Sequence, residues 1–575
     1  MKIRYAISLV LNAHLPFVRD FPVRIRLNRT PQPETSQDEI SEDQPQLPEL
    51  PELSELQEAI EEEPETPPET MDTAPGTVEE SWFFEALSET YLPLLEMFGR
   101  LEAEHIPFQA GIALSPILGQ MLGDEYLLKK YVAYLDNQID FGKQEMERAK
   151  GKPELFRLAR QYFDQVIDRR AAFTTRYDGN ILRALDHYRR IGNIEFIAAP
   201  ASHSFLPFLS PFPEAVRAQI ETAILFYRQS LGYCPQGFWL PELGWVKELD
   251  TFIRSYNFNY SITGSQGFVF GNPPPLRGTF FPVKTPEKLL LLGRDFCACN
   301  EIAEMQKNGV YRNNNRDIGH ELPIEALGSF LTKGGSRYNT GYKYWQAGEK
   351  ERLYDPALAR QTAGEQARAF LEQCGSRLDK VSGLMAELPL CLCAFNADTF
   401  GRRWHEGTFF LEAMFRAAAD SDEMQFITPS DYLSVYPAAA FEESTPEFSS
   451  WGENGYTESW LDSSNDWIYR HLNRAAERMT ELADKFSENS GLKERALNQA
   501  ARELLLAQAS DWPGFLHNQE CTEYAKNQAE SALRNFTTIY ESLGSSRIST
   551  EWLTDLERRH NIFPNINYRV FRRKK

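Results

Sequence analysis

The sequence predicts an α/β chain: a parallel barrel of alternating strands and helices, followed by a helical C-terminal domain and interrupted near its start by an acidic insert. Three observations carry this. Short apolar, β-favouring runs alternate with longer helical stretches from Ile3 to about Asp420, the pattern of a parallel sheet covered by helices. Most of those runs end in a polar residue, as strands do at the rim of a barrel, where loops carry the chemistry. After Asp420 the alternation stops and amphipathic helical stretches take over at 460–486, 492–506 and 522–543.

Taken in order, residues 3–11 read as a first strand that delivers His14 to its C-terminal end. The apolar part of that start is too short for a signal peptide, and no small-residue cleavage site follows. Residues 28–80 hold 17 acidic residues and one basic residue, Arg29. Such a Pro- and Glu-rich segment buries too little apolar surface to offset chain entropy and reads as disordered. Within it, 53–60 has the pattern of a transient amphipathic helix, a candidate contact for an unidentified protein, set against the plainer reading of an acidic loop. Residues 84–98 recur at helical spacing, 108–114 read as a strand, and 124–190 as a long charged helical stretch. Residues 194–200 form a strand ending at His203.

The run Gly237-Phe238-Trp239-Leu240 stops at Pro241, which cannot donate to a sheet ladder, so Glu242 sits where strand gives way to loop. Residues 289–292 lead to Arg294. Residues 388–395 are almost continuously apolar, as in a strand buried on both faces, and end at Asn396 and Asp398. The barrel thus spans 1–27 and 81–420, the acidic insert 28–80 and the helical domain 421–545. The tail, 546–575, is expected to be irregular with a solvated basic end.

Composition narrows the function. Hydrophobic content of 42% and charged content of 25% over 575 residues describe a soluble globular protein. The net charge of −21 comes largely from the insert, and no basic stripe exists to hold nucleic acid. No apolar run is long enough to span a bilayer. The seven cysteines include two Cys-x-Cys pairs without a histidine at ligand spacing. They read as reduced, buried thiols of a cytoplasmic protein with no metal site and no cofactor.

Glu242 alone reads better as a carboxylate favouring the start of the next helix, since Pro-Glu is common at helix starts. The other polar strand ends (His14, His203, Arg294 and the Asn396/Asp398 pair) shift the reading toward a shared site. Trp239, Trp245 and Trp404 lie close by in sequence and are expected to wall it. Flat indoles beside carboxylates suit sugar rings, which offer C–H faces and hydroxyls.

These residues resemble glycoside hydrolase family 57, and within it the α-1,4-glucan branching enzymes. The resemblance rests on Ala13-His14-Leu15-Pro16-Phe17, Ser202-His203-Ser204-Phe205-Leu206-Pro207, Gly237-Phe238-Trp239-Leu240-Pro241-Glu242, the stretch 395–407 and Thr428-Pro429-Ser430-Asp431-Tyr432-Leu433. In the helical part it rests on Ser450-Trp451-Gly452-Glu453-Asn454-Gly455, Trp460-Leu461 and Gln508-Ala509-Ser510-Asp511-Trp512. It implies a seven-stranded, TIM-like (β/α)7 barrel and a retaining reaction on α-glucan, with Glu242 as nucleophile. It places Arg294, Gly309, Trp451 and Asp511 at glucan-contacting positions, with Trp460 a neighbouring aromatic.

The family's acid/base aspartate falls on Asn396. An amide can hydrogen-bond a leaving oxygen but has no proton to give at neutral pH. Asp398 is then a substitute acid or a supporting carboxylate, and Arg402, Arg403 and His405 are further candidates for the missing acid. Three readings follow: a working branching enzyme, a relative that binds α-glucan without efficient turnover, and a metal-dependent deacetylase or mannosidase on a similar barrel. The last lacks acidic neighbours at ligand spacing from His14 and His203.

Overall fold

The computed structural model describes residues 3–19, 75–348, 351–488, 490–545 and 547–574. Residues 28–74 of the predicted insert lie outside these. Residues 75–80 are described and run through a turn into the helix Glu80–Ala86. There Glu80 is fully buried and accepts a 2.6 Å bond from Lys130 Nζ.

Ten strands form one sheet: β1 (Tyr5–Ala13), β2 (Ala110–Leu114), β3 (Ile194–Ala198), β4 (Gly237–Phe238), β5 (Tyr260–Thr263), β6 (Val283–Lys284), β7 (Leu290–Gly293), β8 (Leu390–Asn396), β9 (Met424–Phe426) and β10 (Glu442–Glu443). Seven run parallel in the order β8-β1-β2-β3-β4-β5-β7. β9 pairs with the first half of β1, and β6 and β10 extend the sheet beyond β7. β8 and β7 share no ladder. They meet where the Asp295 N–H donates to the Leu392 carbonyl at 2.8 Å and Arg294 Nε to the Ala394 carbonyl at 3.1 Å. The barrel is therefore curled rather than laddered shut. β5 was not expected: its four residues, Tyr-Ser-Ile-Thr, are too few to establish a period.

Strand alternation decides what faces inward. Ala6 and Val10 of β1, Ala113, Ile197, Tyr260, Ile262, Leu292, and Leu390, Leu392 and Ala394 of β8 pack together as the barrel interior. Ile7, Leu9 and Leu11 face the surrounding helices. Continuing the even-numbered face brings Asn12 and Asn396 to the inner rim, where they are register partners across β1 and β8.

The charged stretch 124–190 is three helices, Glu125–Ala149, Pro153–Ala171 and Ile181–Arg190. Pro153, tolerated only in a first turn, separates the first two. The C-terminal domain contains Asp466–Lys485, Leu492–Ala507, Asp511–Asn518 and Thr522–Ser545. The tail is not irregular. Ser549 caps a further helix, Thr550–Arg559, which buries Leu553 and Leu556. Tyr568 and Phe571 are buried beyond it, and Arg573 bonds Asp484, so the basic end is anchored. Four cysteines are buried (Cys299, Cys374, Cys391 and Cys393), while Cys297 and Cys521 are exposed. No helix among the described residues is long and apolar enough to cross a membrane.

Candidate active site

Glu242 follows β4 within a single 3-10 turn, Pro241–Leu243, and no longer helix begins there. Its backbone is left-handed (φ 60°), as is that of Leu243 (φ 51°). Left-handed backbone costs a non-glycine residue roughly 1–2 kcal/mol, and such strain clusters at functional sites. The surroundings hold it: Leu243 N–H bonds the Leu240 carbonyl, Gly244 N–H the Pro241 carbonyl, and Trp451 N–H the Glu242 carbonyl at 2.9 Å.

The carboxylate meets neutral donors. Trp451 Nε1–H donates to Oε2 at 2.7 Å, and Ser510 Oγ lies 2.9 Å from Oε1. Burial pushes the Glu242 carboxyl above its ordinary value, and these two hydrogen bonds offset only part of that rise.

His203, itself left-handed (φ 55°), lies 3.7 Å from Glu242 Oε1 through Nδ1. His14 stacks on it, with ring centroids 3.8 Å apart and planes 4° from parallel. Burial, then the neighbouring His14, drives the His203 pKa well below its usual value, so the ring is neutral. Asn12 Nδ2 faces His203 Nε2 at 3.1 Å and donates to Asn396 Oδ1 at 2.9 Å. His203 Nε2 is then the acceptor and Nδ1 carries the proton toward Ser510 Oγ, 3.1 Å away. His14 is held on both sides, by Ser115 Oγ at 2.9 Å and Asp511 Oδ2 at 2.9 Å. A continuous line of contacts thus runs from Glu242 through His203 and Asn12 to Asn396. Asn12 Oδ1 is buried and unpartnered in it.

The C-terminal domain completes the site. Ala509 bridges Ser204, and the Ser510 N–H bonds the His203 carbonyl, which fixes Ser510 and Asp511 against the barrel rim. Arg294 reaches the same region, its guanidinium carbon 5.7 Å from the Trp451 ring centroid.

Several residues singled out in the sequence sit elsewhere than expected. Trp239, Trp245 and Trp404 are fully buried and wall no open cleft. Trp239 belongs to the barrel interior and supports Trp451 edge-on at 5.6 Å. Trp245 bonds the Pro446 carbonyl, and Trp404 packs on Tyr311 and Phe410. Trp460 is also buried, stacked on Phe205. The indole that faces Glu242 is Trp451. Gly309 pairs through backbone with Gly348, and none of its described contacts reaches Glu242.

Asp398 does not continue the strand alternation, because β8 ends at Asn396 and a 3-10 turn, Ala397–Phe400, begins. Burial pushes its carboxyl up, but Arg403 and Arg402, each 3.0 Å from Oδ2, outweigh that and hold it below the ordinary value. It stays ionised and has no proton to donate near neutrality. His405 is driven well below its usual pKa by burial and then by Arg312, and so is neutral.

Beneath this loop lies a buried ionic cluster. Glu89, on the π-helical turn Leu87–Tyr91, pairs with Arg312 and lies 3.8 Å from Lys343 Nζ. Burial opposes its charge, yet Arg312 and Lys343 lower the pKa to about 2. The Arg312 N–H also bonds Glu406.

Sequence reasoning missed Asn12, Ser115 and Ser510. Asn12 had a signal, being a polar residue on the inward face of an apolar strand. Ser510 lay within a motif already singled out, Gln508-Ala509-Ser510-Asp511-Trp512.

The residues 69–296 match the family model for glycosyl hydrolase family 57, and 471–571 that for the C-terminal region of 1,4-alpha-glucan branching enzyme. The chain is 27% identical to the 1,4-alpha-glucan branching enzyme TK1436 of Thermococcus kodakarensis, over 84% of this chain and 74% of that protein. Its fold is similar to that of the crystallised alpha-amylase AmyC from Thermotoga maritima, with TM-score 0.84 and 30% identity over the full length of both chains. It also resembles the family 57-type branching enzyme of Pyrococcus horikoshii, with TM-score 0.80 and 22% identity over 100% of this chain and 98% of that one.

Proposed function

The chain belongs to glycosyl hydrolase family 57, and from that premise we propose that it acts on α-glucan as a branching-type enzyme with a weakened acid step. The observation that carries this reading is the Glu242 carboxylate, held on strained backbone at the rim by Trp451 and Ser510. In the proposed retaining reaction, Glu242 attacks the anomeric carbon of an α-1,4 linkage. The C1–O4 bond breaks as solvent water protonates O4, a glycosyl ester forms, and a 6-hydroxyl of another chain then takes the glycosyl group and gives its proton to the hydroxide left by that water. His14, His203, Arg294, Trp451 and Asp511 line the place where the sugar would sit.

The departing O4 needs a proton. A family 57 enzyme of this type takes it from a carboxylic acid at position 396, where this chain has an amide. The Asn396 side chain accepts from Asn12, leaving its NH2 to hydrogen-bond, not to protonate. Asp398 is ion-paired and His405 neutral, so neither replaces the acid. The second reading, a relative that binds α-glucan without efficient turnover, is favoured by Asn396 itself.

One experiment separates them. Amylose is incubated with wild type, N396D and E242Q, then followed by iodine staining and by chain-length analysis after debranching. Slow branching by wild type, faster branching by N396D and none by E242Q support the proposal. No branching by wild type or N396D, with amylose still bound, leaves the binding reading. New reducing ends without new α-1,6 linkages make the protein a hydrolase.

A further inference from the structure

The loop that carries Trp451 also carries aromatic surface that the Glu242 site does not use. Ser450 N–H bonds the Gly455 carbonyl at 2.9 Å and Gly455 N–H the Gly452 carbonyl at 2.9 Å, folding 450–456 into a tight hairpin. Gly455 is required at its turn: its φ is 81°, and a Cβ there would lie 2.4 Å from the Gln266 side chain. Tyr456, next in sequence, is 43% exposed. Its ring lies nearly parallel to that of Phe448, centroids 6.3 Å apart and planes 17° from parallel. Phe448 is half-buried. The segment beside it is tied down by Glu447 N–H to the Gly267 carbonyl and by the Asn272–Thr445 bridge. That bridge places Phe270, 66% exposed, on the paired segment.

A soluble protein seldom leaves aromatic rings clustered at its surface without a use. Here Tyr456 sits on the hairpin whose Trp451 hydrogen-bonds Glu242, and Phe448 precedes that hairpin by two residues, so both rings adjoin the Trp451 loop. The Tyr456 hydroxyl has no partner among the described residues and is free to bond a sugar hydroxyl. Phe448 backs the Tyr456 ring, and the exposed side of that flat pair fits the C–H face of a glucose unit in a passing chain.

The geometry points to a holding platform for a long α-1,4-glucan chain, formed by Phe448 and Tyr456 and lying outside the Glu242 site. It rests on the α-glucan reading of that site. Its consequence is selectivity by length: a chain long enough to span Glu242 and the platform gains from both, and a short oligosaccharide seated at Glu242 gains from one.

The test uses the full chain in the E242Q background, so that binding is read without turnover. Affinity for amylose and for maltotriose is measured by calorimetry and by retardation in glucan-containing native gels. Replacing Phe448→Ala and Tyr456→Ala together should weaken amylose binding roughly tenfold while maltotriose stays within about twofold. Tyr456→Phe, which keeps the ring, should lose much less than Tyr456→Ala. Unchanged amylose affinity in a folded double variant overturns the platform. So does equal loss for both ligands, which would make these rings part of the Glu242 site. So does a changed oligomeric state with glucan affinity intact, which would mark a contact between copies. If E242Q itself binds neither ligand, the α-glucan reading beneath the platform fails instead. If the double variant does not fold, Tyr456→Ser alone carries the same comparison.

Discussion

Two strand ends of one barrel treat a carboxylate in opposite ways. After β4, Glu242 is surrounded by neutral donors, an indole N–H and a hydroxyl, and burial leaves its carboxyl above the ordinary value. After β8, Asp398 is equally enclosed but faces two guanidiniums, which hold it below the ordinary value. Neutral donors orient a carboxylate while leaving its charge available to an electrophile. Guanidiniums neutralise it and fix it as structure. At the end of β8 itself lies Asn396, tied to Asn12, which under the proposed function stands at the acid's position. Residue type alone therefore does not identify the working group: the partner at each strand end does.

The largest expected effect restores symmetry between the two ends. N396D adds a proton donor opposite Glu242 and should raise turnover on amylose by on the order of 10²–10⁴, measured as initial branching rate. An unchanged rate would show that position 396 does not set the acid step.

The next prediction concerns what supports the β8 end. Glu89→Gln leaves Arg312 buried beside an amide and should cost about 3–5 kcal/mol of stability in chemical denaturation. The pH dependence carries a sign. The folded Glu89 value, about 2, lies below its ordinary 4.5. Its stabilisation is therefore full above the ordinary value and is lost as pH falls through about 2. In E89Q the acid-side loss of stability should flatten correspondingly. A variant as stable as wild type would mean that the cluster carries little of the fold.

A smaller effect sharpens the β4 end. If Glu242 is the nucleophile proposed above, it must be ionised to attack, so activity should fall on the acid side as its raised pKa is crossed. Trp451→Phe removes a hydrogen bond that favours the carboxylate and should move that limb to higher pH, read from a pH–rate profile in the N396D background. A limb that moves to lower pH would contradict the neutral-donor account. The smallest effect is at the β8 rim: Arg403 is 57% exposed at its side chain, and R403A should change stability by no more than about 1 kcal/mol. A larger loss would mean that Asp398 depends on the outer guanidinium.

The sequence by itself determined the alternation of strands and helices, the rim positions of His14, His203, Glu242 and Arg294, and the amide at 396, because each follows from local apolar patterning and residue identity. The motif resemblance set Trp451 apart, and the tertiary structure decided that its indole is the one that meets Glu242. Trp239, Trp245 and Trp404 were expected at the site as well, and only packing buries those three and leaves Trp451 on Glu242. It also decided that Ser510 lies 2.9 Å from Glu242 across 268 residues of chain, and that Asp398 belongs to Arg402 and Arg403. The first contact joins distant segments, and the second, though it spans only four and five residues, depends on burial and side-chain geometry that no local pattern records.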